Sequence, residues 1–128
     1  MKEFAIRLHK GDDLKKKISE ACLDSSAIVL CGVGCIYELN LRMAGAKDFF
    51  IDKKDYEILS LTGTVSKGKV HVHGSFSDEK GNVIGGHIAD GCLINTTCEL
   101  VLGLLEDYDS VREYDEKTGF DEIVFRRK

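Results

Sequence analysis

The sequence predicts an α/β domain of the α+β type, a set of strands with a helix beside them, on three observations. Residues 2–9 and 122–126 alternate apolar with polar side chains, the two-residue period of a half-buried strand. Leu14, Ile18, Ala21 and Cys22 instead recur at helical spacing. Between further apolar runs lie short polar, glycine-bearing stretches, such as SDEKGN at residues 77–82, of the kind that turns one strand back beside the last. At 128 residues, 43% hydrophobic and 31% charged, the chain has the size and composition of one domain spanning 1–128.

In order, residues 2–9 (KEFAIRLH) set Phe4, Ile6 and Leu8 against Glu3, Arg7 and His9, with His9 on the polar side at the strand end. Gly11, Asp12 and Asp13 supply a turn and an N-cap, and a helix follows to residue 22 or 23 with Lys15, Lys16 and Lys17 facing water. Residues 27–34 (AIVLCGVG) read as a buried strand and 38–43 as a second one, with Leu39 and Leu41 on one face and Arg42 on the other. The fragment GVGC is no phosphate loop, because position 37 is Tyr where a third glycine is needed. Residues 45–54 read as loop with an apolar patch, Phe49, Phe50 and Ile51. Residues 55–65 read as a strand covered on both faces, because Ile58 and Leu59 are adjacent apolar residues followed by Leu61. Residues 98–105 fit strand better than helix, and the acidic, turn-rich end closes on a strand at 122–126.

The chemistry concentrates in residues 71–91 (HVHGSFSDEKGNVIGGHIADG), which hold three of the four histidines. On a strand over 69–74, His71 and His73 point to one face, and a return through residues 77–82 carries His87 alongside them. Three neutral imidazoles converging in this way suit Zn²⁺ or another divalent ion with one position open. Gly85 and Gly86, directly before His87, fit a bend, a bulge or a close backbone approach. Glu57 is a carboxylate entering an apolar strand, which is costly unless paired or coordinated. It is therefore expected either to pair with Arg42 or to serve the histidine site as an acid/base group, with Arg42 as an acid/base group or anion clamp.

Composition sets limits on partners. No apolar run reaches the roughly 20 residues that cross a bilayer, and residues 1–13 lack a signal-peptide pattern, so a cytoplasmic protein without a membrane partner is expected. Five cysteines, at 22, 31, 35, 92 and 98, lie in apolar segments and read as reduced, mostly buried thiols. A net charge of −4 and a pI near 5.5 are unlike a surface built for a phosphate backbone. The basic clusters, Lys15 to Lys17 and Arg126 to Lys128, read as solvated faces.

With these residues in view, the chain resembles the PPC domain, the module shared by plants and prokaryotes and associated with AT-hook proteins in plants. The resemblance rests on YEILSLTGT at 56–64, HVHGSFSD at 71–78, GGHI at 85–88 with Gly91, and GVG at 32–34 leading to Leu41 and Arg42. It implies a mainly antiparallel sheet with one or two flanking helices, similar to the acetolactate decarboxylase fold, assembled as a homotrimer. It also implies that His71, His73 and His87 stand where prokaryotic members place a metal-binding histidine cluster. Plant members grip DNA through a proline-containing basic hook, and this chain has no proline. That departure counts against direct DNA binding through a hook, whereas the resemblance to single-domain prokaryotic members, which are commonly labelled DNA-binding, implies a DNA-associated or regulatory binding module, with a DNA or protein partner and residues 56–59 used in partner or subunit contacts. The alternative it implies is a metal-dependent lyase or hydrolase acting on a small molecule.

Overall fold

The computed structural model describes residues 1–128. It contains β1 (Lys2–His9), α1 (Leu14–Ala21), β2 (Ser26–Arg42), β3 (Phe49–Asp52), β4 (Tyr56–Ser66), β5 (Lys69–Ser77), β6 (Val83–Ile88), β7 (Leu93–Leu104), β8 (Tyr108–Asp115) and β9 (Phe120–Arg127). The fold is thus a mostly antiparallel sheet with a single short helix, the α+β class expected. The main sheet runs β1-β7-β2-β4-β5-β6, with β3 on β2, and β6 pairs back onto β2 through Leu41↔Ile88 and Arg42↔His87. That last pairing closes β2, β4, β5 and β6 into a small barrel-like loop of strands. Hairpin β8-β9 forms a separate two-stranded sheet.

Five elements differ from the sequence expectation, the simplest being β7, which begins at Leu93 where the sequence predicts a strand only from residue 98. Residues 27–34 and 38–43 belong to one 17-residue strand, β2, because register shifts against β7 at Val29/Cys31, Gly34/Cys35 and Ile36/Glu38 absorb its irregularities without ending it. The patch at 49–52 pairs with β2 as the short strand β3. β4 is not covered on both faces: alternation turns Ile58 inward and leaves Leu59 55% exposed, and the register shift between Ile58 and Ser60 resets the phase so that Leu61 also points inward. The acidic end holds a full strand, β8, before the expected last one.

The core is one cluster that includes Leu39, Leu41, Leu61, Val72, Phe76 and Ile88 from the closed strands and Leu14 and Ile18 from the helix. Burying each such side chain contributes roughly 1.5–3 kcal/mol against chain entropy. The helix starts where Asp13 accepts a hydrogen bond from the Lys16 amide at 3.1 Å, and the other Asp13 oxygen takes the Gly91 amide at 2.7 Å. One carboxylate therefore caps α1 and ties it to the turn after β6. Hairpin β8-β9 is fastened to the sheet by three buried serines: Ser110 Oγ lies 2.6 Å from Ser26 Oγ and 2.8 Å from Ser66 Oγ. A Lys67–Asp109 ion pair at 3.2 Å lies beside them.

Candidate metal centre

Strand alternation leaves His71 and His73 exposed on β5 while Val72 between them is buried. The turn at residues 78–82 is organised by Asp78, whose Oδ1 accepts from the Lys80 and Asn82 amides at 2.9 Å. It fixes the register so that His87 stands directly opposite His73. The result is a triangle of imidazoles, with ring centroids 5.1 Å apart for His71 and His73, 5.3 Å for His71 and His87, and 5.5 Å for His73 and His87. One ligand nitrogen from each lies within 4.8 Å of the other two.

The glycines explain how the strands come so close. A side chain at Gly63 of β4 would press into the His71 carbonyl oxygen and approach Val72 Cα to 2.8 Å, and one at Gly85 would meet the Gly74 carbonyl oxygen at 2.8 Å. The β5–β6 register runs without a shift from His73↔His87 to Ser77↔Val83. Close approach therefore accounts for the glycine pair, and no bulge is involved.

The donor set fits a divalent metal. Nitrogens about 2.0–2.1 Å from a tetrahedral zinc stand about 3.4 Å apart, so the rings need only close inward by small side-chain rotations. His87 Nδ1 is buried and has no hydrogen-bond partner, an otherwise costly arrangement that a metal bond would relieve. Burial, followed by the Arg42 guanidinium and the other two imidazoles, pushes the His87 pKa down to about 4. Burial, then His73 and Arg112, lowers that of His71, with Glu122 acting in the opposite direction. The neutral form is the one that ligates.

The other singled-out residues divide. Arg42 is at the site: as the β2 partner of His87 it lines two depressions flanking the histidines, and its guanidinium lies 5.9 Å from the Phe120 ring centroid. Glu57 is not. It is exposed, pairs with Cys35 and Ser77 far down β4 from the histidine partners Thr62 and Thr64, and lines a separate depression with Asp55 and Asp78. It forms no ion pair with Arg42, because alternation between buried Tyr56 and Ile58 turns it to solvent. His9 is exposed at its strand end, and all five cysteines are free, with Cys22, Cys92 and Cys98 buried. Sequence reading missed Arg112, Phe120 and Glu122 of the terminal hairpin, which line the depressions beside the histidines. The only trace of that hairpin in the sequence is the turn-forming stretch DEKTG between two segments rich in β-formers.

The Plants and Prokaryotes Conserved (PCC) domain matches residues 1–106. The chain belongs to this family. Among curated proteins, the PCC chain is 33% identical over 126 residues to the bifunctional protein GlmU of Synechococcus sp. (strain JA-2-3B'a(2-13)); the match covers 96% of the chain but 20% of that relative, so the chain spans about a fifth of its length. Among solved structures, a hypothetical protein from Salmonella superposes with a TM-score of 0.93 at 28% identity, covering 99% of this chain and 94% of that one. The metal-containing protein AF0104 from Archaeoglobus fulgidus gives a TM-score of 0.82 at 26% identity, covering 97% and 94%. A Bacteroides thetaiotaomicron chain described as a candidate DNA-binding protein shares the fold at a TM-score of 0.78 and 22% identity, covering 98% and 91%. No helix in the PCC chain is long and apolar enough to cross a membrane.

Proposed function

We propose that this PCC chain is a homo-oligomeric binding module, a trimer, carrying one divalent metal, zinc first, on His71, His73 and His87. The observation that carries this reading is the meeting of three imidazoles within 4.8 Å. Histidine sets of this kind suit zinc, with three protein ligands and a fourth position for water or a ligand. The metal-containing Archaeoglobus relative supports the same reading. Protein purified without chelator, or dialysed against Zn²⁺, should hold about one ion per chain by elemental analysis, and His73→Ala should lose it. A metal-free wild type after zinc dialysis would end the proposal.

A second reading, favoured by the open depressions beside the triad, is a metal-dependent lyase or hydrolase acting on a small molecule. A bound metal would polarise a carbonyl or activate water at the open position. Arg42, on the rim of both depressions, would hold a substrate anion. The acid/base role first considered for Glu57 has no geometric support, since that residue lines a different depression. Direct DNA association draws on fold likeness and on the basic run Lys15, Lys16 and Lys17 in α1, of which Lys17 is paired with Glu20. With a net charge of −4, it predicts weak binding that disappears steeply as salt is raised. A gel-shift salt series checks it.

A further inference from the structure

We propose that hairpin β8-β9 and the metal triad together line an open binding site for a small carboxylate. This rests on the metal reading above and names the ligand class of the same site. A depression of about 280 Å³ is lined by His71 and His87 on one side and by Arg112, Phe120, Asp121 and Glu122 of the hairpin on the other, with Arg42 and Lys69 at its edge. Three cations thus face two carboxylates beside the triad, before any metal charge is counted. None of the five ion pairs in the structure involves Arg42, Lys69 or Arg112.

Each arginine is held by something other than a carboxylate. Arg112 Nη1 donates to the Asp121 carbonyl oxygen at 3.3 Å, and Arg42 sits over the Phe120 ring. Both residues are half-buried, and neither guanidinium has a carboxylate partner to neutralise it. Such groups favour an anion presenting two oxygens in a plane, which a carboxylate does and a point-charge ion does not. A carboxylate bound there would lie among His71, His87, Arg42 and Arg112, where a metal held by the triad and the two guanidinium groups would both favour its charge. Phe120 lines this depression and also the wider one of about 590 Å³ formed with Met43 to Ala46 and Gly85 and Gly86. The body of the ligand extends past that ring. The β8-β9 hairpin lies beyond the span matched by the PCC domain, residues 1–106, so it is the part of the chain placed to set which acid fits.

The test uses the full chain loaded with Zn²⁺ and titrated with malonate by calorimetry. A Co²⁺-loaded sample is read by its visible spectrum, and metal content is measured on every sample. Saturable malonate binding with a change in the cobalt spectrum is expected. Arg112→Gln should weaken binding about 10-fold, the loss of one charge-assisted hydrogen bond, with metal content unchanged. Glu122→Gln should tighten binding, because it removes a like charge. A hairpin role in folding alone would not move these two variants in opposite directions. Metal-loaded protein that does not bind malonate, or Arg112→Gln and Glu122→Gln that both bind like wild type, overturns this proposal and leaves the metal reading intact. Protein that takes up no metal overturns both, and the metal measurement tells the two failures apart.

Discussion

At the residue scale the site depends on small side chains as much as on histidines. Gly63 is the test case, because a methyl group there runs into the backbone of His71 and Val72, which cannot swing aside as a flexible side chain would. Gly63→Ala should therefore push β5 away from β4 and cost about 2 kcal/mol, typical of forced overpacking. Thermal denaturation should show a lower Tm, and metal retention should fall with it. Protonation gives a second residue-scale prediction. Since His87 titrates near 4 in the fold and about 6.5 in an unfolded chain, the unfolded state takes up the proton first on acidification. Its contribution to the stability of metal-free protein is fully present above about 6.5 and is lost as pH falls toward 4. The Tm of metal-free His87→Gln should accordingly fall less than that of wild type across this window. The triad itself was legible in the sequence, because a two-residue period and one turn suffice to bring positions 71, 73 and 87 together. Glu57 was misread because its apolar neighbours suggested a buried strand, although the same period that sends Tyr56 and Ile58 inward sends Glu57 out.

At the element scale, what places the terminal hairpin beside the histidines is a polar contact inside an otherwise apolar structure. Ser110 bridges Ser26 of β2 and Ser66 of β4, so the start of β8 is pinned where two strands of the main sheet lie side by side. Removing its hydroxyl strands two buried partners, at about 1–3 kcal/mol for each unsatisfied group. Ser110→Ala should speed amide hydrogen exchange in β8 and β9 well before it affects β5 and β6. Malonate affinity should drop while the metal stays bound, because the histidines sit on the closed strands. Uniform loss of protection across all strands would show instead that the hairpin is a folding element of the whole sheet. None of this could be read from sequence. Serines at 26, 66 and 110 carry no periodic signal, and their meeting is a property of tertiary packing. The merging of two expected strands into β2 has the same origin, since bulges opposite β7 are specified by pairing partners distant along the chain.

At the scale of the whole molecule, the triad lies on an outward face that is only partly covered. Val33 of β2 and Leu59 of β4 also point outward from neighbouring strands, 58% and 55% exposed. His71 and His73 share that outward sense with their β4 partners Thr64 and Thr62. Single exposed apolar residues are ordinary, but apolar groups on adjoining strands beside a candidate metal site form a surface that water solvates poorly. Covering it with another copy of the chain removes this cost without opening the closed strands and is consistent with the proposed homotrimer. Leu59→Glu puts a carboxylate on that outward face without touching the core, since Leu59 lies outside the buried cluster. By sedimentation equilibrium, wild type should have the mass of three 14.2 kDa chains, and Leu59→Glu should shift toward one. Its far-ultraviolet circular dichroism should not change, because burying an unpaired charge opposes assembly, not folding. A variant that keeps the wild-type mass would mean that Leu59 lies outside the contact. A wild type that sediments as a single chain at high concentration would remove the trimer itself, while the proposed metal on His71, His73 and His87, all of one chain, would be tested separately by its elemental content.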